Sequence, residues 1–261
     1  MDLGLRDKVA VITGGSVGIG LAIAEGLAAE GANIVISARG AERIDAEAAR
    51  IADTYGVIVH GIAADVATAA GCEAVIAGTI KAFGGADILI NNAGTGSNET
   101  IQQADDARWQ YYWDLHVMAA VRLARGLVPA MKTRGGGVIL HNASICAVQP
   151  LWYEPIYNTT KAALMMFSKT LANEVVGDNI RVNTVNPGLV LTPDWVKTAR
   201  QLAGESGYEA HLQGVADEAG GMKRFASAEE IANFFVFLAS NKASYSTGST
   251  YFVDGGWLKT V

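Results

Sequence analysis

Residues 8–39 read KVAVITGGSVGIGLAIAEGLAAEGANIVISAR, and this stretch decides the fold. An apolar run, a glycine-rich turn, a helical pattern and a second apolar run follow one another, which predicts a strand–turn–helix–strand unit. In the turn, Gly14, Gly18 and Gly20 form the pattern G-x-x-x-G-x-G. Glycines there let the backbone approach a pyrophosphate, and the helix N-terminus presents free N–H groups to the anion. The stretch therefore predicts a nucleotide-binding loop, with an ordinary tight turn as the alternative.

The alternation of apolar runs and helical patterns continues along the chain. Helical patterns include Leu21–Glu30, Ala41–Tyr55 and Ala69–Phe83. The predicted strands are Val9–Thr13, Asn33–Ser37, Val57–Ile62, Asp87–Asn91, Val138–Asn142, Ile180–Asn186 and Ser249–Val253. Strands joined by helices pair in parallel, and strands that are apolar throughout lie in a sheet covered on both faces. We therefore predict an α/β fold: a single domain over residues 1–261 with a Rossmann-type doubly wound parallel sheet of about seven strands flanked by helices.

Composition and charge argue against several classes of protein. The 261 residues carry a net charge of −6, which disfavours a nucleic-acid surface. There is no apolar run of about 18 residues, so no membrane partner is expected, and the start MDLGLRDKVAVITGG lacks a signal-peptide pattern. Cys72 and Cys146 form no disulfide-like pair, and His60, His141 and His211 have no metal-ligand spacing. We expect a cytoplasmic protein without a metal.

The residue at the end of the second strand normally contacts the adenosine ribose of a bound dinucleotide. An acidic residue there favours NAD, because it binds both ribose hydroxyls and repels a 2′-phosphate. This chain has Ser37, Ala38 and Arg39 instead. Arg39 could pair with a 2′-phosphate, so NADP is favoured and NAD remains the alternative. Asp65 could accept from the adenine amino group or serve as the N-cap of a helix over Ala67–Ala77.

Four motifs make the chain resemble the short-chain dehydrogenase/reductase family. They are TGGSVGIG at 13–20, NNAG at 91–94, YNTTK at 157–161 and NPG at 186–188. The terminal STYFVDGGW at 249–257 is similar to the closing strand of that family. The resemblance implies hydride transfer to or from a nicotinamide ring, a small-molecule substrate, and a homo-oligomer, usually a tetramer. It also implies that residues 188–223, the least regular part of the chain, cover the substrate.

The resemblance carries roles to individual residues. Ser144 stands thirteen positions before Tyr157, the usual spacing of the catalytic serine, and Tyr157 and Lys161 match the Tyr-x-x-x-Lys pair. Gly188 belongs to the turn beside the nicotinamide. The residues expected to bind the cofactor are Gly14, Ser16, Gly18, Ile19, Gly20, Arg39, Asp65, Val66, Asn92, Gly94, Tyr157, Lys161, Pro187, Gly188, Val190 and Thr192.

His116 is the one departure from the pattern of the family. An asparagine usually stands seven residues after the tryptophan of a segment like WQYYWDLHVMAAV, and counting from Trp109 gives His116. In the family, that asparagine helps to hold a water chain between the lysine and solvent. Histidine can donate and accept through its ring nitrogens and can titrate near neutral pH. We include His116 among the catalytic candidates, with helix packing as the alternative.

The chemistry of the pair follows from its spacing. Residues four apart on a helix share one face, so Tyr157 and Lys161 can reach the same bound molecule. A nearby ammonium and an oxidised nicotinamide are expected to lower the pKa of the phenol from about 10. Tyr157 would then exchange a proton with the substrate oxygen, Lys161 would hold the ribose hydroxyls, and Ser144 would bind the substrate oxygen as charge develops.

The substrate is expected to be an uncharged, partly hydrophobic alcohol or ketone. The candidate pocket residues are Cys146, Gln149, Trp152 and Trp195, with Ile145 and Tyr153 beside them. A 3-oxoacyl-thioester reductase is an alternative. It needs a basic patch near the pocket to bind the carrier phosphate, and the acidic sequence gives no sign of one. A non-catalytic nucleotide-binding scaffold or redox sensor is a second alternative, which only His116 supports. A sugar-nucleotide epimerase shares Tyr-x-x-x-Lys but is usually longer.

Overall fold

Seven parallel strands form one sheet in the order β3-β2-β1-β4-β5-β6-β7. The computed structural model describes residues 1–96 and 98–260. The strands are β1 (Val9–Thr13), β2 (Asn33–Ala38), β3 (Val59–Ala63), β4 (Ile88–Asn91), β5 (Gly137–Asn142), β6 (Ile180–Pro187) and β7 (Thr250–Val253). Each predicted strand lies within two residues of these bounds, because continuous apolar runs bounded by turns identify buried strands well.

Nine α-helices flank the sheet in the described part of the chain. They are α1 (Gly18–Ala29), α2 (Ala41–Tyr55), α3 (Ala69–Phe83), α4 (Asp106–Trp113), α5 (Ala119–Thr133), α6 (Pro155–Val175), α7 (Pro193–Ala203), α8 (Tyr208–Ala219) and α9 (Ala228–Ala239). A π-helical segment, Asp114–Met118, joins α4 to α5. The stretch 188–223, expected to be the least regular, contains α7 and α8. Their short apolar stripes pack on each other and on residues distant in sequence, a contact that a local pattern does not reveal.

The core has two halves because strand side chains alternate between the faces of the sheet. On one face, Ile12, Ile34 and Ile90 pack with residues of α1 and α9 such as Ile23 and Phe235. The other half of the core, against α3 and α5, is built from side chains such as Val11, Val35, Leu89, Leu123 and Leu127. Helices cover both faces, which explains why the central strands are apolar along their whole length.

The order of the strands places a crevice beyond the carboxyl end of β1. Strand β1 pairs with β2 on one side and with β4 on the other, so the chain connections leave in opposite directions at this point. Ligands of open α/β sheets bind at such a switch point. The glycine-rich turn after β1 and the NNAG segment after β4 both line this crevice. None of the helices among the described residues combines the length and apolar character that a membrane crossing requires.

Candidate active site

The glycine loop has the backbone that the sequence predicted. Gly14 and Gly18 adopt positive φ angles of 66° and 58°, a region that side chains disfavour. A Cβ on Gly20 would lie 2.3 Å from the Gly14 carbonyl oxygen, so only glycine lets α1 approach the loop this closely. The N-cap of α1 is Val17, which supplies no side-chain acceptor. The first N–H groups of α1 therefore have no side-chain cap, and the loop fits a pyrophosphate.

The remaining loop candidates lie around this turn. Ser16 and Ile19 are partly buried beside the glycines, and Val66 is buried after β3. Arg39 is exposed directly after β2 and makes no ion pair with any described residue. Asp65 accepts the backbone N–H of Ala67 over 3.0 Å.

The alternative role of Asp65 as a helix N-cap is wrong. Helix α3 begins at Ala69, and its N-cap is Thr68, whose hydroxyl accepts the Gly71 N–H over 2.9 Å. The Thr68 N–H donates to the Asp65 carbonyl, so residues 65–68 form a turn and the helix begins only after it.

A polar network joins the glycine loop to Lys161. The Asn92 amide donates to the Thr13 and Gly14 carbonyls over 2.9 and 3.3 Å. The Asn142 amide donates to Asn92 Oδ1 over 2.8 Å, and the Lys161 ammonium donates to the Asn142 carbonyl over 2.7 Å. Lys161 is only 3% exposed, so this carbonyl holds a nearly dry cation. The network fixes the ammonium relative to the loop.

Tyr157, Lys161 and Ser144 come together as the spacing predicts. Both Tyr157 and Lys161 lie in the first turns of α6, and the Lys161 ammonium lies 5.4 Å from the centre of the Tyr157 ring. Ser144 is buried just beyond the end of β5, where its hydroxyl accepts the Cys146 N–H over 3.2 Å. Helix α6 begins at Pro155, whose fixed φ suits a first helical position.

The ionisation of the pair differs from the expectation. Burial, followed by the proximity of Cys146 and Glu154, raises the pKa of the Tyr157 phenol, and a hydrogen bond with Ser144 offsets only part of this. Burial also lowers the pKa of Lys161 to about 8. In the chain by itself, desolvation of the phenolate therefore raises the pKa of Tyr157, and the lowering expected with an oxidised nicotinamide bound stays a prediction. Tyr157 keeps its proton at neutral pH.

His116 lies inside the site, in the π-helical segment between α4 and α5. Its Nδ1 is 2.8 Å from the Thr160 hydroxyl, which itself donates to the Ile156 carbonyl over 2.9 Å. A hydroxyl has one hydrogen, so Nδ1 is the donor to Thr160 and Nε2 is the acceptor. The backbone N–H of Thr95 points at Nε2 over 3.4 Å. Single π-helical turns occur frequently at functional sites.

The expected titration of His116 near neutral pH is wrong. Burial, and then the nearby Lys161 ammonium, lower the pKa of this imidazole well below its ordinary value. The ring is 3% exposed and packs edge-on against Tyr157 at 5.6 Å between centroids. A Cβ on Gly94 would lie 3.2 Å from His116 Nε2 and 3.5 Å from Lys161 Nζ. The glycine therefore leaves the space between these two nitrogens open.

The segment after β6 holds the remaining cofactor candidates. Pro187 and Val190 are buried, and a Cβ on Gly188 would lie 2.8 Å from the Cα of Asp254. Thr192 is the N-cap of α7 and makes no side-chain cap bond. A Cβ on Gly18 would lie 3.5 Å from Thr192 Cγ2, so this segment and the glycine loop face each other.

The four pocket candidates lie in different surroundings. Cys146 is buried beside Ser144 and Tyr157. Trp152 is 80% exposed and therefore forms no enclosed wall. Gln149 Oε1 accepts the backbone N–H of Lys259 over 3.1 Å, so it holds the C-terminal segment. Trp195 stacks edge-on against Phe225 at 5.2 Å, within the small cluster beneath α7 and α8. These contacts are long-range, which is why the sequence alone could not assign them.

Three residues of the site were not predicted from the sequence. Asn142 holds Lys161, and two acidic residues, Glu99 and Glu154, approach the site from the loop after β4 and from the start of α6. A glutamate three positions before the tyrosine was visible in the sequence, although its burial was not.

Comparison with known proteins agrees with this geometry. A family model described as enoyl-(acyl carrier protein) reductase matches residues 14–258. The chain belongs to the short-chain dehydrogenase/reductase family. The bovine (Bos taurus) dehydrogenase/reductase SDR family member 4 is 36% identical to it, over 97% of this chain and 88% of that protein. The predicted family, the fold class and the general function of a nicotinamide-dependent oxidoreductase are confirmed at this level.

Two further relatives are named for their activities. The L-sorbose reductase of Gluconobacter frateurii, whose crystal structure is complexed with NADPH and L-sorbose, is 66% identical, covers 100% of both chains and superimposes with a TM-score of 0.99. The 3-oxoacyl-[acyl-carrier-protein] reductase FabG of Aquifex aeolicus is 30% identical over 98% of this chain and 99% of that protein.

Proposed function

We propose that this chain is an NADPH-dependent reductase of a small, uncharged ketone that carries several hydroxyl groups, with the ketose L-sorbose as the first candidate substrate. The observation that carries the proposal is the 66% identity to the L-sorbose reductase over the full length of both chains. The half-buried carboxyl of Glu154 beside the site supports a hydroxylated substrate, because carboxylates accept hydrogen bonds from hydroxyl groups.

The residues around the crevice suit the cofactor. The uncapped start of α1 would hold the pyrophosphate, the free guanidinium of Arg39 would bind a 2′-phosphate, and Lys161 would bind the nicotinamide ribose. When bound, the nicotinamide supplies the hydride. The other cofactor candidates named from the sequence retain their proposed roles, including Asp65 toward the adenine and Thr192 toward the nicotinamide end.

Tyr157 is the proposed proton donor to the substrate oxygen. Its raised pKa keeps the phenol protonated at neutral pH, which suits donation and hence reduction of a carbonyl. Ser144 would donate a hydrogen bond to the same oxygen as negative charge develops on it. Lys161 is fixed by the Asn142 carbonyl, and its ammonium would stabilise the phenolate that Tyr157 becomes after it donates its proton.

His116 is the proposed link that returns a proton from solvent to Lys161. Its Nε2 is an acceptor and faces the open space at Gly94, on whose other side lies the Lys161 ammonium. The neutral imidazole would hold a water through Nε2 in that space, and a proton would pass along the water to the Lys161 amine while the Nδ1–H stays bonded to Thr160. Because its pKa is held well below the ordinary value, the relay stays neutral throughout the physiological range.

We further propose that residues 1–261 act as a single catalytic domain in which segment 188–223, with α7 and α8, covers the substrate. A cytoplasmic homotetramer is proposed as well. Large exposed apolar side chains support an assembly: Tyr245 is fully exposed, and Phe237 of α9 and Phe252 of β7 lie 42% and 39% exposed at one edge of the sheet. The free, buried thiols of Cys72 and Cys146 suit a reducing compartment. Native mass spectrometry tests the assembly directly.

A substrate panel tests the function. L-Sorbose, other ketoses, a simple apolar ketone and a 3-oxoacyl thioester are each offered with NADPH and with NADH, and nicotinamide absorbance is followed. We expect the ketoses to be reduced with NADPH and the thioester to be a poor substrate. Arg39→Asp is expected to reverse the cofactor order. Preference of the unmodified protein for NADH, or for the thioester, contradicts the proposal.

A further inference from the structure

Two acidic residues, Glu99 and Glu154, lie beside the site, and no cation among the described residues pairs with both. Glu99 is 9% exposed, and its Oε2 accepts from Arg108 Nε over 2.6 Å, whereas its Oε1 is buried without a partner among the described residues. Glu154 is the N-cap of α6, three residues before Tyr157. Within the described part of the chain, no Lys, Arg or His lies within salt-bridge distance of Glu154.

Backbone contacts hold the two acidic residues in one crevice. The Glu99 N–H donates to the Tyr153 carbonyl over 3.1 Å, which ties the loop after β4 to the residue before Glu154. A Cβ on Gly96 would lie 3.0 Å from Glu154 Oε1, so this carboxyl lies against the same loop. The Tyr112 hydroxyl fixes the loop from α4 by donating to the Gly96 carbonyl over 2.7 Å. These contacts hold in place the backbone that carries both carboxyl groups.

Ionising a second carboxyl group beside a charged one costs free energy, so the titrations of the two groups are coupled. Burial, and then the charge of Glu99, raise the pKa of Glu154 to about 7. Glu154 in turn contributes to the raised pKa of Tyr157. The other titratable or charged groups around the crevice are Arg108 and Tyr112 from α4, Cys146 from the turn after β5, Tyr153, Lys161 from α6 and Glu218 from α8.

We propose that Glu99 and Glu154 are coupled positioning residues, in which the charge of Glu99 favours the protonated form of Glu154, and that the charge on Glu154 controls how readily Tyr157 loses its proton. Arg108 pairs with Glu99 and not with Glu154, so Glu154 is the carboxyl that carries a proton near neutral pH. As the pH rises through neutrality, Glu154 ionises and opposes formation of the phenolate beside it. Tyr157 therefore remains a proton donor at a higher pH than it otherwise would. This inference rests on the proposed role of Tyr157 as the donor.

Two titrations of the protein alone test the pair. Carboxyl NMR of isotope-labelled glutamate, assigned by difference with Glu154→Gln, should show a midpoint near neutral pH for Glu154. In Glu99→Gln that midpoint should fall by about one unit, because the like charge is gone. Tyrosinate absorbance, assigned by difference with Tyr157→Phe, should show Tyr157 ionising about one unit lower in Glu154→Gln than in the unmodified protein.

The pH dependence of turnover gives the functional readout. The part of the alkaline loss of reduction that lies above the titration of Lys161 should move to lower pH in Glu154→Gln by the same amount as the phenol titration. Glu174→Gln, which alters an exposed acid on the same helix, is the matched control and should change neither curve. An unmoved Glu154 midpoint in Glu99→Gln overturns the coupling, and an unmoved Tyr157 titration in Glu154→Gln overturns the control of the phenol.

Neither titration needs a substrate, so these results stand even if no ketone is reduced. In that case the proposed function fails while the pair is still tested. Folding of each variant is checked by circular dichroism. If Glu154→Gln does not fold, the carboxyl signal that titrates near neutral pH is compared between the unmodified protein and Glu99→Gln. A shift of its midpoint between these two proteins still decides the coupling.

Discussion

Acid should destabilise this protein through His141, an imidazole that the fold buries completely. His141 is 0% exposed in β5, and its Nε2 has no hydrogen-bond partner among the described residues. Its Nδ1 lies 3.3 Å from the Asn91 amide, and Phe167 packs edge-on against the ring. Burial, and then the Lys161 ammonium, lower the pKa of His141 from 6.5 to about 3. The folded state therefore resists protonation that the unfolded chain accepts.

The sign and size of the effect follow from linkage. Between the unfolded and folded pKa values, the unfolded chain binds one more proton at this residue, so the free energy of unfolding falls as the pH falls. The slope is about 1.4 kcal/mol per pH unit. Lowering the pH from about 7.5 to about 5 should cost about 2 kcal/mol through His141 alone. The contribution is fully present above the unfolded pKa and is lost as the pH falls toward 3.

Urea unfolding at fixed protein concentration measures this loss. The free energy of unfolding is compared at the two pH values for the unmodified protein and for His141→Gln, which keeps a polar side chain toward Asn91. The change with pH should shrink by about 2 kcal/mol in the variant, whatever its absolute stability. His60→Gln, which alters an exposed imidazole, is the control. An equal loss with pH in the unmodified protein and in His141→Gln refutes the reasoning.

Further changes give distinct outcomes. Gly20→Ala should lower the melting temperature and weaken NADPH binding, because its Cβ would lie 2.3 Å from the Gly14 carbonyl oxygen; Gly40→Ala, with open space around it, should do neither. Asp87→Ala should cost about 1–3 kcal/mol in urea unfolding, since it leaves the buried Val9 N–H without a partner. His116→Leu should abolish turnover in a folded protein, and His116→Asn should retain it. Because the His116 pKa is so low, neither the unmodified protein nor His116→Asn should show an acid limb from this residue near neutral pH; such a limb present only in the unmodified protein contradicts the assignment.

Local patterns were enough to predict most of the fold. The seven strands are continuous apolar runs between turns, and α2 and α3 have the bounds that their sequence periodicity indicates. The glycine loop was equally accessible, because the conformational need for glycine is local. Helices α7 and α8 were missed, since their small apolar cluster is completed by residues outside both helices, Phe225 and the distant Trp257.

The sequence predicted which residues form the site, but it did not predict their ionisation. Spacing brought Ser144, Tyr157 and Lys161 together, as the structure places them. The sequence did not show that burial raises the pKa of Tyr157 in the chain by itself, because burial is a property of the whole fold. Glu99 entered the site only through a backbone contact with Tyr153, which lies more than fifty residues later in the chain.

The most direct test of the central claim is NADPH oxidation in the presence of L-sorbose by the unmodified protein and by Tyr157→Phe. The variant keeps the ring and removes the donated proton. We expect the unmodified protein to oxidise NADPH only when the ketose is present, and the variant to lose turnover by about 10²–10⁴-fold while binding NADPH with similar affinity. Equal turnover by the two proteins, or no reduction of any hydroxylated ketone by the unmodified protein, contradicts the account.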